Sequence, residues 1–169
     1  MSNDLVVTGS NSANVNTSGI VDPIQLAVCA SKMSVLTAAN EVYVLDTSNS
    51  QTQVLSGKTI TDVRMTDSYL VGLGQGLNTS YVYSVKLSDN TESASIRSNV
   101  AKFDCYDYWM VSVLRDGRVV MDLLDGAQTL PDITYSTGSD GIQYIDGPTI
   151  TDSIVDVRAY KDSVLVNYI

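Results

Sequence analysis

The sequence predicts an all-β chain folded as a small propeller-like ring of about four blades. Three observations predict it: a recurring unit, the residue types that fill the unit, and a match between the two ends of the chain. Each unit has an apolar stretch, a short polar break, a second apolar stretch and a turn. Val35, Val71, Val111 and Val166 in the second stretches recur at steps of 36, 40 and 55 residues. A propeller blade spans roughly 40–50 residues per repeat. Val, Ile, Thr and Tyr dominate the stretches, and helical spacing is not sustained over any long window, so almost no helix is expected.

The first unit runs Leu26-Ala27-Val28 into Met33-Ser34-Val35-Leu36, then through a turn at Ala39-Asn40. The second runs Asp62-Val63-Arg64-Met65 into Tyr69-Leu70-Val71-Gly72, with a looser turn at Gly74-Gln75-Gly76-Leu77-Asn78. The third runs Ala101-Lys102-Phe103 into Trp109-Met110-Val111 and holds the clearest hairpin, because Asp116-Gly117 suits the positive φ angles of a type I′ turn. Ser/Asn/Asp clusters at Thr47-Ser48-Asn49 and Ser88-Asp89-Asn90 fall one strand later, where such side chains hydrogen-bond nearby backbone. Thr134 to Ile150 lengthens the third unit; it is either an inserted hairpin or loop, of the kind that carries contacts, or a longer outer pair of strands. The fourth unit, Asp156-Val157-Arg158-Ala159 into Val164-Leu165-Val166, supplies only a first half.

The start of the chain supplies the other half. Asp4 to Ser12, then Ser18-Gly19, reads like Val42 to Ser50, then Ser56-Gly57, at an offset of 38. Leu5 to Thr8 is therefore expected to pair beside Val164 to Tyr168, closing the ring and removing free sheet edges. The alternatives are a partial propeller completed by a second copy, and a two-sheet β-sandwich with similar strand spacing.

Length and composition fit one domain over residues 1–169, with 44% hydrophobic residues. No run of about 18 apolar residues is present, which excludes a spanning helix. Met1-Ser2-Asn3-Asp4 lacks the basic and apolar regions of a secretory signal, so the protein is expected to fold where it is made. Cys29 and Cys105 are expected to be buried reduced thiols, since two cysteines make no disulfide framework. The net charge is −9 and the basic residues are scattered singly. Nucleic-acid binding needs a basic patch or stripe, so no nucleic-acid partner is expected.

Tests for chemistry mostly fail. Histidine is absent, which removes Ser-His-Asp and Cys-His machinery and the commonest metal ligand. Gly72-Leu73-Gly74-Gln75-Gly76 is glycine-rich but leads into more strand, and a phosphate cradle needs a helix start; it reads as a flexible hairpin turn. Paired carboxylates can hydrolyse glycosides, but Glu41 and Glu92 are the only glutamates. The expectation is no enzyme, with no catalytic, cofactor or metal site. Asp67, Asp107 and Asp162 sit before the second strand of their units, with Ser31 in the matching slot. A ring of them could hold a cation such as Ca²⁺, but each more simply bonds its own turn. Trp109, aligned with Met33, Tyr69 and Val164, reads as core. Tyr106 and Tyr108, at one strand entrance, and Tyr144, in the insertion, are the candidate interaction residues.

An apolar pair before a short break, a buried strand and a polar turn resemble β-propeller repeats of the RCC1 and WD40 kind over nearly the whole chain. The likeness is one of pattern. Where RCC1 blades carry Gly-x-x-His, this chain has Ala30-Ser31, Thr66-Asp67, Cys105-Tyr106-Asp107 and Lys161-Asp162, and its one tryptophan, Trp109, precedes Met110 rather than Asp. No residue role is carried over. The function expected is a non-enzymatic structural or interaction module in multiple copies on a larger protein assembly. Ser/Thr/Asn/Asp-rich turns and few lysines fit a virion accessory protein, such as a phage capsid-decoration or tail component, located in the virion; a cytoplasmic scaffold would look similar. The alternative is a lectin-like propeller that binds glycans through Tyr and Asn/Asp side chains.

Overall fold

A computed structural model describes residues 17–48, 50–145 and 154–168, and every regular element among them is a strand. The first unit is a meander of β1 (Pro23–Val28), β2 (Lys32–Thr37), β3 (Val42–Asp46) and β4 (Gln51–Val54), paired in that order. The second comprises β5 (Thr59–Met65), β6 (Tyr69–Gln75) and β7 (Ser80–Lys86); β8 (Thr91–Glu92) and β9 (Arg97–Ser98) both pair with β7. The third contains β10 (Val100–Tyr106), β11 (Trp109–Leu114) and β12 (Val119–Leu123). It is extended by the hairpin of β13 (Tyr135–Thr137) and β14 (Gln143–Ile145) in the order β10-β11-β12-β14-β13. The insertion is thus both an added hairpin and the outer strand pair of its sheet. β15 (Ile154–Tyr160) and β16 (Ser163–Tyr168) form the fourth, two-stranded unit.

One device repeats in all four units. The first strand is bulged at Ile24, Thr61, Ala101 and Val155, each six residues before the turn that follows it. An extra residue bends a strand and increases its twist, and here it does so at the same step of every unit. The two-residue turns that follow are Ala30-Ser31, Asp67-Ser68, Asp107-Tyr108 and Lys161-Asp162. They make Lys32, Tyr69, Trp109 and Ser163 equivalent. The valine alignment is therefore one residue out in the first and fourth units, and Trp109 matches Lys32 and Ser163 rather than Met33 and Val164. A one-residue shift turns a side chain to the other face: Val71 and Val111 point to the following unit, whereas Val35 and Val166 point the other way.

The β11–β12 hairpin is present, but Gly117 alone in its turn takes positive φ, at 86°. Leu114 N donates to Arg118 O and Gly117 N to Leu114 O, which makes a three-residue loop closed by a left-handed residue in place of the expected type I′ turn. Asn40, with φ 64°, plays the same part in the first unit. In the second unit, Gly72 and Gly74 lie inside β6, and the turn begins only at Gly76, whose N donates to Thr79 O. The two strand glycines are thus packing positions rather than a flexible turn: a Cβ on Gly72 would stand 2.7 Å from Leu55 Cδ1.

Strands buried on both faces build three apolar layers between successive units. Leu36, Val42 and Val44 meet Ile60, Val63 and Leu70 in the first layer, and Val71, Leu73 and Val82 meet Phe103, Met110 and Val120 in the second. Trp109, Val111 and Val113 meet Val157 and Ala159 in the third, so Trp109 is core as its sequence context implies. Burying a side chain of this size contributes roughly 1.5–3 kcal/mol. Polar side chains tie the first strands together alongside each layer. Gln25 bonds Val63 N and O, the Arg64 guanidinium lies 3.6 Å from the Asp104 carboxylate, and Asp104 accepts from Ala159 N at 2.9 Å. The expected pairing of Leu5 to Thr8 beside the last strand lies outside the described residues.

Candidate interaction surface

In a meander, the first and third turns emerge at the same end of the sheet. Contacts between the first two units hold these ends on one face: Asp67 Oδ1 accepts from Ala30 N at 2.9 Å and Lys32 Nζ donates to Leu87 O. Within the second and third units the first and third turns are joined by Leu87 N donating to Ser68 O and Leu124 N to Tyr108 O. A cleft of about 400 Å³ opens between the first two units, lined by Ser31, Lys32, Asp67, Ser68, Lys86 and Ser88 among others. Asp67 therefore braces the preceding unit's turn instead of its own. Asp162 occupies the second place of its turn, one position later than Asp67 and Asp107 in theirs.

The face is acidic. Burial, then the hydrogen bond and charge of Asp125 with the charges of Asp107 and Asp89, push the Tyr69 hydroxyl above its usual range. Carboxylates from the second and third units thus surround one tyrosine. Other acids there organise their own turns: Asp46 accepts from Ser48 Oγ at 2.6 Å and from Ser50 N at 3.0 Å, and Asp89 accepts from Thr91 N at 2.9 Å. These bonds, led by Ser48 for Asp46 and the Thr91 amide for Asp89, hold both carboxyls below the ordinary range. Among the described residues no three His, Cys, Asp or Glu side chains converge as metal ligands. Glu92 is tied to Leu55 N and to Lys58 Nζ, and Glu41 to the Tyr43 hydroxyl.

The three tyrosines singled out by the sequence part company. Tyr106 closes β10 opposite Trp109 and is 40% exposed on the acidic face. Tyr108 shares its turn but leans on the third apolar layer. Tyr144 belongs to the other end of the third sheet, where its hydroxyl accepts from Arg118 Nη1 at 2.6 Å and donates to Asp140, with the guanidinium 4.9 Å from its ring centroid. That hydrogen bond to Asp140 leads the causes that raise its hydroxyl pKa. Tyr160, 49% exposed, stands where Tyr106 does and was not singled out. A tyrosine directly before the break in both units is the signal that would have found it.

Four sheets of repeated construction, each stacked face to face on the next, leave one architecture. The chain is propeller-like in fold. It overlays human WBSCR16 at a TM-score of 0.59 and 14% identity, covering 89% of this chain and 46% of that one. For the structure of Kap60 bound to yeast RCC1 (Prp20) the values are 0.60, 11%, 88% and 41%. For the N-terminal domain of Nup159 they are 0.51, 15%, 96% and 50%. These are RCC1-like and related propellers, and the chain spans about half of their length or less. No family profile and no curated protein matches the sequence. The units are hereafter called blades.

Proposed function

We propose that this chain is a non-enzymatic interaction module that docks on a larger protein assembly through the acidic turn face of its blades. The observation that carries this reading is the placement of Tyr106 and Tyr160 at equivalent, exposed positions beside the turns that carry Asp107 and Asp162, with Asp89, Asp107 and Asp125 close to Tyr69. Tyrosine is a favoured anchor at protein interfaces because it offers a large rigid apolar area with a polar tip. Surrounding carboxylates steer a basic partner and set register. Two of the similar structures are themselves complexes, Kap60 with yeast RCC1 and Dbp5 with Nup159, which supports protein docking as the use of this fold.

The assembly that fits the composition best is a virion, with the chain as a capsid-decoration or tail component present in multiple copies. Cryo-electron microscopy of particles from the source tests this. Regular copies seated by the Tyr106 face support the reading, and particles that lack the chain overturn it. Saturable glycan binding lost in Tyr106→Ala, with no particle association, would favour the lectin-like alternative.

A further inference from the structure

We propose that the cleft between the first and second blades binds a small hydroxylated carboxylate of the acidic-sugar class, a role separate from docking by the turn face. Lys32, Tyr69 and Trp109 open the second strands of the first three blades at equivalent places. Tyr69 is 6% exposed, with its hydroxyl turned to Asp125 of the third blade, and Trp109 is 1% exposed against the fourth. The first blade has a lysine where the next two pack an aromatic ring, and the cleft of about 400 Å³ opens beside it. The lysine gives up the apolar burial that a ring would supply there. Departures of this kind from a chain's own local rule gather at functional sites.

The partners change with it. Lys86 and Ser88 of the second blade stand where the third has Leu123 and Asp125, so the carboxylate that meets the Tyr69 hydroxyl has no counterpart beside Lys32. Lys32 Nζ donates to Leu87 O, which holds the half-buried ammonium across the cleft and leaves it further protons to donate. Among the described residues neither Lys32 nor Lys86 forms an ion pair, although the chain has 19 acidic side chains to 10 basic ones and Lys58, Arg64, Arg97, Arg118 and Arg158 are all paired. Asp46, opposite Lys32, and Asp89, next after Ser88, are engaged by their own turns instead.

The other lining groups define the rest of the ligand. Ser31, Ser68 and Ser88 bring hydroxyls that can donate or accept. Asp67 has one oxygen taken by Ala30 N and keeps Oδ2 to accept from a ligand hydroxyl. One anionic group between two ammoniums, with hydroxyls around it, satisfies this set. A bare oxyanion would set like charge against Asp67, whereas a hydroxylated carboxylate offers it a donor. The volume lies in the range of small-molecule sites. On a surface of net charge −9 the two lysines make this cleft a place where an anion is not repelled.

Amide NMR of the full chain, titrated in turn with glucuronate, glucose and inorganic phosphate, tests this. Glucuronate should shift the amides of Ser31, Ser68 and Ser88 saturably, and glucose should not. Lys86→Gln, at an exposed position, should weaken glucuronate binding about tenfold, the worth of one charge-assisted hydrogen bond. Lys32→Tyr, which installs the second blade's residue, should abolish binding with far-UV circular dichroism unchanged. Glucuronate that leaves these amides unmoved overturns the proposal, as do phosphate that binds as tightly and binding that both substitutions leave intact. None of these readouts involves the assembly, so their failure leaves the docking reading standing.

Discussion

Gly72 shows how much one residue constrains this fold. It lies in β6 beneath Leu55, and a methyl group there would stand 2.7 Å from a side chain that is itself 2% exposed. Gly72→Ala should cost about 1–3 kcal/mol, the ordinary penalty for overfilling a packed core, read as a lower urea midpoint at unchanged slope; an unchanged midpoint would show that Leu55 moves aside freely. Cys105 makes a second prediction. Burial above all, with the Asp104 charge adding to it, pushes its thiol well above the ordinary range, and the thiolate is the reactive form. Iodoacetamide at about pH 8 should leave Cys105 unmodified in the native chain and label it in urea. Rapid native labelling would contradict the packing of the second layer.

At the scale of elements, one ion pair ties the outer edge of the second blade to the third. Arg97 on β9 forms a two-pronged contact with Asp122 on β12, Nε to Oδ2 at 2.9 Å and Nη2 to Oδ1, with both side chains largely out of solvent. Asp122→Asn should cost roughly 1–3 kcal/mol, as expected when a hydrogen bond to a buried charge is weakened, again read from urea unfolding. The turns make a prediction in pH. Asp46, Asp89, Asp116 and Asp140 are all held below the usual carboxyl range, chiefly by hydrogen bonds from Ser48, Thr91, Arg118 and Tyr144 respectively. Their folded values are depressed, so their contribution is complete above the unfolded value of about 3.9 and is lost as pH falls through the folded values. The urea midpoint should be level above about pH 5 and fall below about pH 4; a midpoint that rises on acidification would contradict these turn bonds. The blades and turns could be read from residue types, because β-branched runs and Asp/Asn clusters have local causes. Their register could not: Val35-Leu36 and Leu70-Val71 are buried on both faces, and a continuous apolar run carries no alternation to set its phase.

For the whole molecule, the repeat predicted a propeller-like chain because each unit must bury both faces of its sheet against neighbours. The proposed docking face was legible only in part. Tyr106 was visible as an aromatic at a break, but Tyr160 gains its meaning only when the bulge and turn align the fourth blade with the third. Tyr144 was singled out by its place in an insertion, and the strand order carries it to the end of the sheet opposite Tyr106, beside Arg118. The most direct test of the docking account is carboxyl and tyrosine footprinting by mass spectrometry, comparing the free chain with the chain in its assembly. Protection of Asp67, Asp89, Asp107, Tyr106 and Tyr160, with the opposite turns at Asn40, Leu77 and Asp116 still accessible, is the result predicted. Protection of those opposite turns with Tyr106 and Tyr160 left open would contradict it.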